Sequence, residues 1–184
     1  LATPEDAAIA FFNPAWRAKS PIGSFVSVDA KRPDRYAVYL GQSGLGLPNR
    51  DYYLEGKFAD KQQKYKSYVA ATLARAGIAD AEHAAEDIYA LELQIAQAHW
   101  DPAKRRNRDL TYNLKTIEQL ESFAPDAPWR AMLSAAELGG IDEVIVREDD
   151  AVAKTAAIIA ATPIATLRNY LKFHLINSNA DVLP

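Results

Sequence analysis

Two stretches of the chain repeat apolar residues at the spacing of an amphipathic α-helix. The members of the first stripe are Tyr65, Tyr68, Val69, Thr72, Leu73 and Ala76. Gly77 follows it directly and is a favourable residue at a helix end. The members of the second stripe are Ala85, Ile88, Leu91, Ile95 and Ala98. This second helix is predicted from about Asp80 to Trp100, and the short link before it predicts an antiparallel helix pair.

The first 54 residues have a different pattern. Residues 24–29 alternate apolar and polar side chains, and residues 35–40 are rich in β-branched and aromatic ones. The segment Lys31-Arg32-Pro33-Asp34 between them has turn composition, which predicts an antiparallel hairpin with a loop of four to six residues. A short helix is predicted before the hairpin, over residues 4–12. A loop rich in glycine follows the hairpin, over residues 41–54.

Short helices and one strand are predicted in the rest of the chain. Thr116 and Gln119 have the spacing of a capping box, which predicts a helix to about Phe123. The apolar run Val144-Ile145-Val146 predicts a third strand. The other predicted helices cover residues 128–138, 149–161 and 163–176.

The composition supports a mainly α fold. The 184 residues include 34 alanines and only eight glycines, which favours helices. We therefore expect one multi-helix domain over residues 1–184, with a small antiparallel β-hairpin near the N-terminus. Residues 1–54 form the hairpin and the glycine-rich loop, and residues 55–184 form a helical body. The chain starts at Leu1 instead of a methionine, which favours a processed segment and so a partial domain.

Charge and residue usage exclude several functional classes. The net charge of −3 and the pI of about 5.6 argue against a nucleic-acid partner. The absence of cysteine excludes disulfides, thiolate zinc sites and cysteine nucleophiles. No apolar run approaches ~18 residues, so no membrane span is predicted in this segment. No signal peptide is visible either.

The chemistry-bearing residues form no self-contained active site. His83, Glu86 and Asp87 come one residue short of a His-x-x-Glu-His zinc helix, because the second histidine is replaced by Asp87. A solvated acidic helix face is the favoured interpretation, with a cryptic metal site as the alternative. His174 lies in an apolar stripe and is predicted to be a hydrogen-bonded core residue. The basic run 104–108 is predicted as a solvated loop, with phosphate or carboxylate binding as the alternative. We assign no catalytic and no metal-binding residue.

The loop over residues 42–54 carries the strongest signal. Its sequence Gln-Ser-Gly-Leu-Gly-Leu-Pro-Asn-Arg-Asp-Tyr-Tyr-Leu resembles a signature of the neprilysin and endothelin-converting enzyme family of zinc metallopeptidases. Three later segments resemble the same family more weakly: Leu91–Ala96, Trp100–Asn113 and Leu167–Leu171. The resemblance covers essentially the whole chain.

The resemblance implies a function that this chain does not perform alone. The family's catalytic domain holds zinc and cleaves oligopeptides, and a mostly helical second domain covers the site. This chain matches the second domain and lacks the zinc helix, so it contains no cofactor, and the zinc belongs to the catalytic domain of the parent enzyme. The implied partners are that catalytic domain and oligopeptide substrates. The implied location is periplasmic or extracellular.

Two interpretations of the loop follow. In the structural one, Gly44 and Gly46 adopt positive φ, Pro48 stiffens the exit, Asp51 caps the next helix and Arg50 pairs with a carboxylate. In the functional one, the side chains that face a substrate cavity are Arg50, Tyr52 and Tyr53. The structural interpretation is favoured.

We therefore expect a non-catalytic, substrate-gating segment of a zinc-dependent oligopeptide endopeptidase. The chain alone is then no enzyme, while its parent protein is one. The alternative is a stand-alone helical module that binds a peptide or a protein and has no enzymatic activity.

Overall fold

The computed structural model describes residues 1–180 and is mainly helical, as predicted. The last four residues of the predicted helical body lie outside the described part. The helices within residues 1–180 are α1 (Pro4–Phe12), α2 (Asp51–Leu54), α3 (Ala59–Arg75), α4 (Ala81–Ala98), α5 (Pro102–Arg105), α6 (Ile117–Phe123), α7 (Trp129–Ala135), α8 (Asp149–Ala161) and α9 (Ile164–Ser178). The strands there are β1 (Ile22–Asp29), β2 (Arg32–Gln42), β3 (Asn113–Thr116) and β4 (Glu143–Val146).

The helices start and stop where local chemistry requires it. Thr3 caps α1, and Thr116 and Gln119 form the predicted capping box of α6. Gly77 ends α3 with φ of +80°, and the Ile78 amide donates to the Leu73 carbonyl as in a Schellman motif. The helices α3 and α4 then pack against each other as predicted.

The hairpin is part of a larger sheet. The four strands have the order β1-β2-β4-β3, in which β2 and β4 run parallel and the other neighbours antiparallel. The third strand predicted at residues 144–146 is confirmed. The part of the chain after residue 55 supplies two strands to this sheet, β4 as predicted and β3, which was not predicted. The apolar face of β2 and β4 packs on the helical core through Leu40 and Val146.

The turn of the hairpin is tighter than predicted. The strands are joined by Ala30 and Lys31 alone, and residues 32–34 belong to β2. The buried Asp29 carboxylate accepts bonds from the amides of Lys31 and Arg32 at 2.9 and 3.2 Å, which closes the turn early. Burial alone would raise the pKa of Asp29, but the Lys31 amide, the Tyr112 hydroxyl and the Arg35 guanidinium together lower it to about 2.

No single helix within residues 1–180 has both the length and the apolar character needed to cross a membrane. The pair α8 and α9 meets those criteria only when joined, and the two helices are bent by 118° at their break.

A buried carboxyl group joins three helices to the glycine-rich loop. Glu92 lies on α4 and is 0% exposed. Its oxygens accept bonds from the hydroxyls of Tyr53 at 2.5 Å and Tyr65 at 2.9 Å, and from the Gly46 amide at 3.2 Å. Nε2 of His174 on α9 lies 2.7 Å away, and it carries the hydrogen because a carboxylate only accepts. The Tyr53 hydroxyl in turn accepts a bond from the Leu47 amide at 3.0 Å.

Side chains also hold three successive carbonyl groups of the loop. Nε2 of His99 lies 3.0 Å from the Ser43 carbonyl, the Tyr170 hydroxyl donates to Gly44 at 2.6 Å, and Nζ of Lys19 donates to Leu45 at 2.8 Å. Burial lowers the pKa of His99 to about 4, against the partly compensating bond to Ser43. His99 is therefore neutral in the folded protein near pH 7, with its hydrogen on Nε2.

Replacing Glu92 tests the buried network. In Glu92→Gln the side chain has one acceptor oxygen instead of two. Its NH2 group, which is itself a donor, is placed among the four donors that surround Glu92. We expect the free energy of unfolding to fall by about 3 kcal/mol, because buried donors lose their acceptor. Urea unfolding followed by circular dichroism measures the loss. Glu86→Gln on the same helix is the matched control, since Glu86 is exposed and its ion-pair partner within residues 1–180 is the surface side chain of Lys66. Equal losses in the two variants would contradict the role of Glu92.

The depressed pKa of His99 predicts a pH dependence of stability. The unfolded chain takes up a proton with a pKa of about 6.5, whereas folded His99 does so near 4. The contribution of neutral His99 to the free energy of unfolding is therefore fully present above pH 6.5. It is lost as the pH drops towards 4, by about 1.4 kcal/mol per pH unit and about 3 kcal/mol in total. Unfolding free energies of the wild type and His99→Gln, measured from pH 7 to pH 4, isolate this contribution.

His83→Gln is the control for this titration, because the His83 side chain is 72% exposed. We expect its pH dependence to match that of the wild type. A His99→Gln variant that loses stability as steeply as the wild type over this pH range would refute the assignment.

Candidate functional site

A cavity of about 290 Å³ lies against the loop over residues 42–54. Its charged and titratable lining residues come from four separate segments. Lys19 precedes β1, Arg50 precedes α2, His99 follows α4 and Arg105 ends α5. None of the lining residues within the described part of the chain is acidic. The cavity is thus positively charged in a chain whose net charge is −3.

Local structure places these side chains. Asp101 caps α5 by accepting a bond from the Lys104 amide at 2.9 Å, and Pro102 occupies its first turn. The Gln42 side chain bonds the Trp100 backbone on both sides, at 2.7 and 3.1 Å, and so joins the end of β2 to the end of α4. His99 is thereby held beside the loop.

A second buried carboxyl group orients Arg105. Glu148 precedes α8, is 1% exposed, and accepts the Gln42 amide at 3.0 Å and Nε of Arg105 at 2.8 Å. The basic run over residues 104–108 therefore supplies one side chain to the cavity instead of forming only a solvated loop. Glu148, Asp149 and Asp150 lie together at the start of α8, and Glu148 is the buried member of the three.

Arg50 lines the cavity without the predicted carboxylate partner. Its Nε atom is buried, and no acceptor for it lies among residues 1–180. The ion pairs within residues 1–180 do not include Arg50, so the predicted carboxylate partner of Arg50 stays a prediction. Arg50 is one of the three residues proposed to face a substrate, and it is the one that reaches this cavity.

The two neighbouring tyrosines have other surroundings. The Tyr52 ring is half-buried and stacks on Phe58 with ring centres 4.2 Å apart. Tyr53 is only 4% exposed, and its hydroxyl is taken by Glu92. Burial and the negative charge of Glu92 raise the pKa of Tyr53, so its phenol stays neutral. The prediction that Tyr53 faces a substrate cavity is therefore wrong for the described domain, because the side chain points into the core.

The loop residues assigned a structural role behave in different ways. Gly44 has φ of +92°, as predicted. Gly46 does not have positive φ; it is needed because a Cβ there would lie 1.9 Å from the Tyr65 hydroxyl. Pro48 lies exposed at the loop exit. Asp51 does not cap α2: Arg50 occupies the cap position, and the Asp51 amide itself donates a bond to Oδ1 of Asn49 at 2.9 Å.

The residues His83, Glu86 and Asp87 do not fit a metal site. Nε2 of His83 lies 3.5 Å from Oδ2 of Asp87 at the surface, and Glu86 is paired with Lys66. Residues 1–180 contain no group of three histidine or carboxylate side chains arranged to hold a metal ion.

Sequence reasoning missed Lys19 and His99 as cavity residues. Lys19 carries no recognisable pattern, and the sequence places His99 only near the end of the second predicted helix. The charged cavity residues also affect one another. Burial lowers the pKa of His99 most, and the positive charges of Arg105 and Arg50 lower it further. The arrangement offers positive charge and hydrogen-bond donors to a ligand.

Comparison with known proteins identifies the relatives of this chain. Residues 6–184 match the N-terminal domain model of "Peptidase family M13". Endothelin-converting enzyme 1 of Cavia porcellus is 28% identical over 167 residues, which are 86% of this chain and 22% of the relative. The Homo sapiens enzyme is 27% identical over the same length.

Solved structures share the fold. The Mycobacterium tuberculosis zinc metalloprotease Zmp1 in its open state superimposes with a TM-score of 0.91 at 30% identity, covering 100% of this chain and 29% of that one. PepO from Lactobacillus rhamnosis has a TM-score of 0.71 at 15% identity and supports the fold alone. This chain thus spans between a fifth and a third of the length of these relatives. The resemblance of residues 42–54 to the neprilysin and endothelin-converting enzyme family is confirmed, and the chain belongs to peptidase family M13.

Proposed function

We propose that these 184 residues are part of a non-catalytic domain that covers the active site of a zinc-dependent oligopeptide endopeptidase and limits access to it. The observation that carries the proposal is the fold match. The whole described chain follows a segment that makes up 29% of a zinc metalloprotease, with a TM-score of 0.91. That relative has been solved in an open and in a partially open state, which supports a movable cover in this family.

The internal bonding suits a domain that moves as one body. A cover that gates access by rigid-body motion must keep its own shape while it moves. The Glu92 network fixes α3, α4 and α9 to the loop over residues 42–54. The loop therefore moves with the helices and carries the cavity with it.

An apolar surface of the hairpin supports contact with the rest of the polypeptide. Val26, Val28 and Tyr36 are 57%, 43% and 75% exposed. The strand register places Val28 opposite Tyr36, and Val26 two residues along, so the three lie on one face. We propose that this face contacts the catalytic domain of the complete protein. We also propose that the zinc is held by that catalytic domain. Arg50 and Tyr52 are the proposed substrate-facing residues, and the proposed location is periplasmic or extracellular.

Comparing the 184-residue chain with the complete protein that contains it tests this function. We expect no metal-dependent peptide cleavage by the chain alone. The complete protein should cleave a short fluorogenic peptide, lose activity with a chelator, and cleave the same sequence far more slowly within a folded host protein. Metal-dependent cleavage by the chain alone would refute the non-catalytic role. Peptide binding without cleavage by either protein would favour a stand-alone binding module.

The variant Val28→Ser/Tyr36→Ser in the complete protein tests the hairpin contact. If the contact holds the cover closed, the preference for the short peptide in kcat/KM should fall roughly tenfold, or ~1.4 kcal/mol in transition-state free energy. The chain alone should keep its stability within about 0.5 kcal/mol, because both side chains are exposed. Tyr68→Ser, at an exposed position on α3, is the control. An unchanged preference would show that the hairpin face is not the contact.

A further inference from the structure

The cationic cavity beside the loop carries more positive charge than nearby carboxylates pair with. Of its three cations, Arg105 alone has an ion pair within residues 1–180, with Glu148. Lys19, Arg50 and Arg105 line it, and no acidic residue of the described chain does. Like charges that share a partly enclosed space repel one another, and they are held together here by the fold of three separate segments. Such an arrangement is maintained at a cost in stability unless an anion offsets it.

Arg50 provides the most specific observation. Its Nε atom is buried and finds no acceptor within residues 1–180. A buried donor without an acceptor costs about 1–3 kcal/mol, and more for a charged group. Buried polar groups in folded proteins are almost always paired, so Arg50 calls for a partner that residues 1–180 do not supply, either a water molecule or a ligand. The neighbouring positive charges of Lys19 and Arg105 favour an anionic ligand.

The side chains of Lys19 and Arg105 are oriented by hydrogen bonds and still have free donor groups. Lys19 gives one of its three hydrogens to the Leu45 carbonyl at 2.8 Å. Arg105 bonds Glu148 through Nε, at 2.8 Å. The terminal nitrogens of its guanidinium stand outside that bond. Each group is thus anchored by one hydrogen bond and keeps further donors for a ligand.

We infer that this cavity is a binding site for one oxyanion group of the carboxylate class, with Arg50 as its principal ligand-binding residue. A planar guanidinium matches the two oxygens of a carboxylate, and bonds between the two charged groups are stronger than neutral ones. A cavity of about 290 Å³ admits an acidic side chain or a peptide carboxyl end. The inference concerns the 184-residue chain itself, so its failure would leave the proposed gating function standing.

Nuclear magnetic resonance tests the site directly through the Nε–Hε signal of Arg50. The chain is titrated with sodium acetate at constant ionic strength, and in parallel with acetamide, which has the same shape and no charge. We expect acetate to shift the Arg50 signal in a saturable manner and acetamide to leave it unchanged. In Arg50→Gln, a signal from the His99 ring should report affinity for acetate lowered about tenfold, the loss expected for one charge-assisted hydrogen bond.

Arg130→Gln is the matched control. Arg130 is an exposed cation on α7, paired with Glu118 and Glu121, and the variant should bind acetate like the wild type. Circular dichroism shows whether Arg50→Gln is folded; if it is not, Lys19→Gln replaces it, with the same loss of affinity expected. A response that is not saturable, an equal response to acetamide, or unchanged affinity in the folded cavity variant would overturn the inference.

The same signal in the complete protein identifies the source of the carboxylate. If the Nε–Hε signal of Arg50 already has the chemical shift of the acetate-bound isolated chain and does not respond to acetate, the ligand is an acidic side chain of that polypeptide. If Arg50 responds as in the isolated chain, the site takes a carboxylate from solution. Both results support the oxyanion site. A complete protein whose Arg50 signal neither is shifted nor responds would contradict it.

Discussion

The buried carboxyl group of Glu92 determines how the rest of this domain is arranged. A carboxylate removed from water is tolerated only when hydrogen-bond donors surround it, and Glu92 obtains them from the loop, from α2, from α3 and from α9. Each donor fixes the position of the element that carries it. Segments that are distant in the chain thereby become one unit, with contacts more directional than apolar packing alone would provide.

The position of the loop has consequences for the surface next to it. Its backbone is held by side chains on both its carbonyl and amide groups, from Ser43 to Leu47. Gly46 permits this because the Tyr65 hydroxyl occupies the space of a side chain. With the loop fixed, Arg50 is brought to the same cavity as Lys19 and Arg105. The buried network therefore positions the charged cavity. The network is rigid and internal, whereas the cavity is open to a ligand.

The helices were predictable because their signals are local. Apolar periodicity located α3 and α4, and capping chemistry located α6. The strand β3 was missed because its four residues carry no alternation of their own and pair only once β4 lies beside them. The hairpin turn was placed too late because the acceptor that closes it, Asp29, is defined by tertiary burial.

The site was harder to predict than the fold. Glu92 lies within a helix motif that the family resemblance included. Its spacing from Ile88 and Ile95 places it on the apolar face of α4, whereas Glu86 lies on the opposite face, but this spacing does not identify the donors that surround Glu92. The loop signature correctly marked the region, but which of Arg50, Tyr52 and Tyr53 points inward depends on where α4 lies. Spacing along the chain does not report that information.

Amide hydrogen exchange at Gly46 and Leu47 measures most directly whether the loop is held from inside. These amides donate to Glu92 and to the Tyr53 hydroxyl. If the network fixes the loop, they exchange only through global unfolding and are as protected as the core of α4. Exchange at the rate of an open surface loop, while α4 remains protected, would contradict the account.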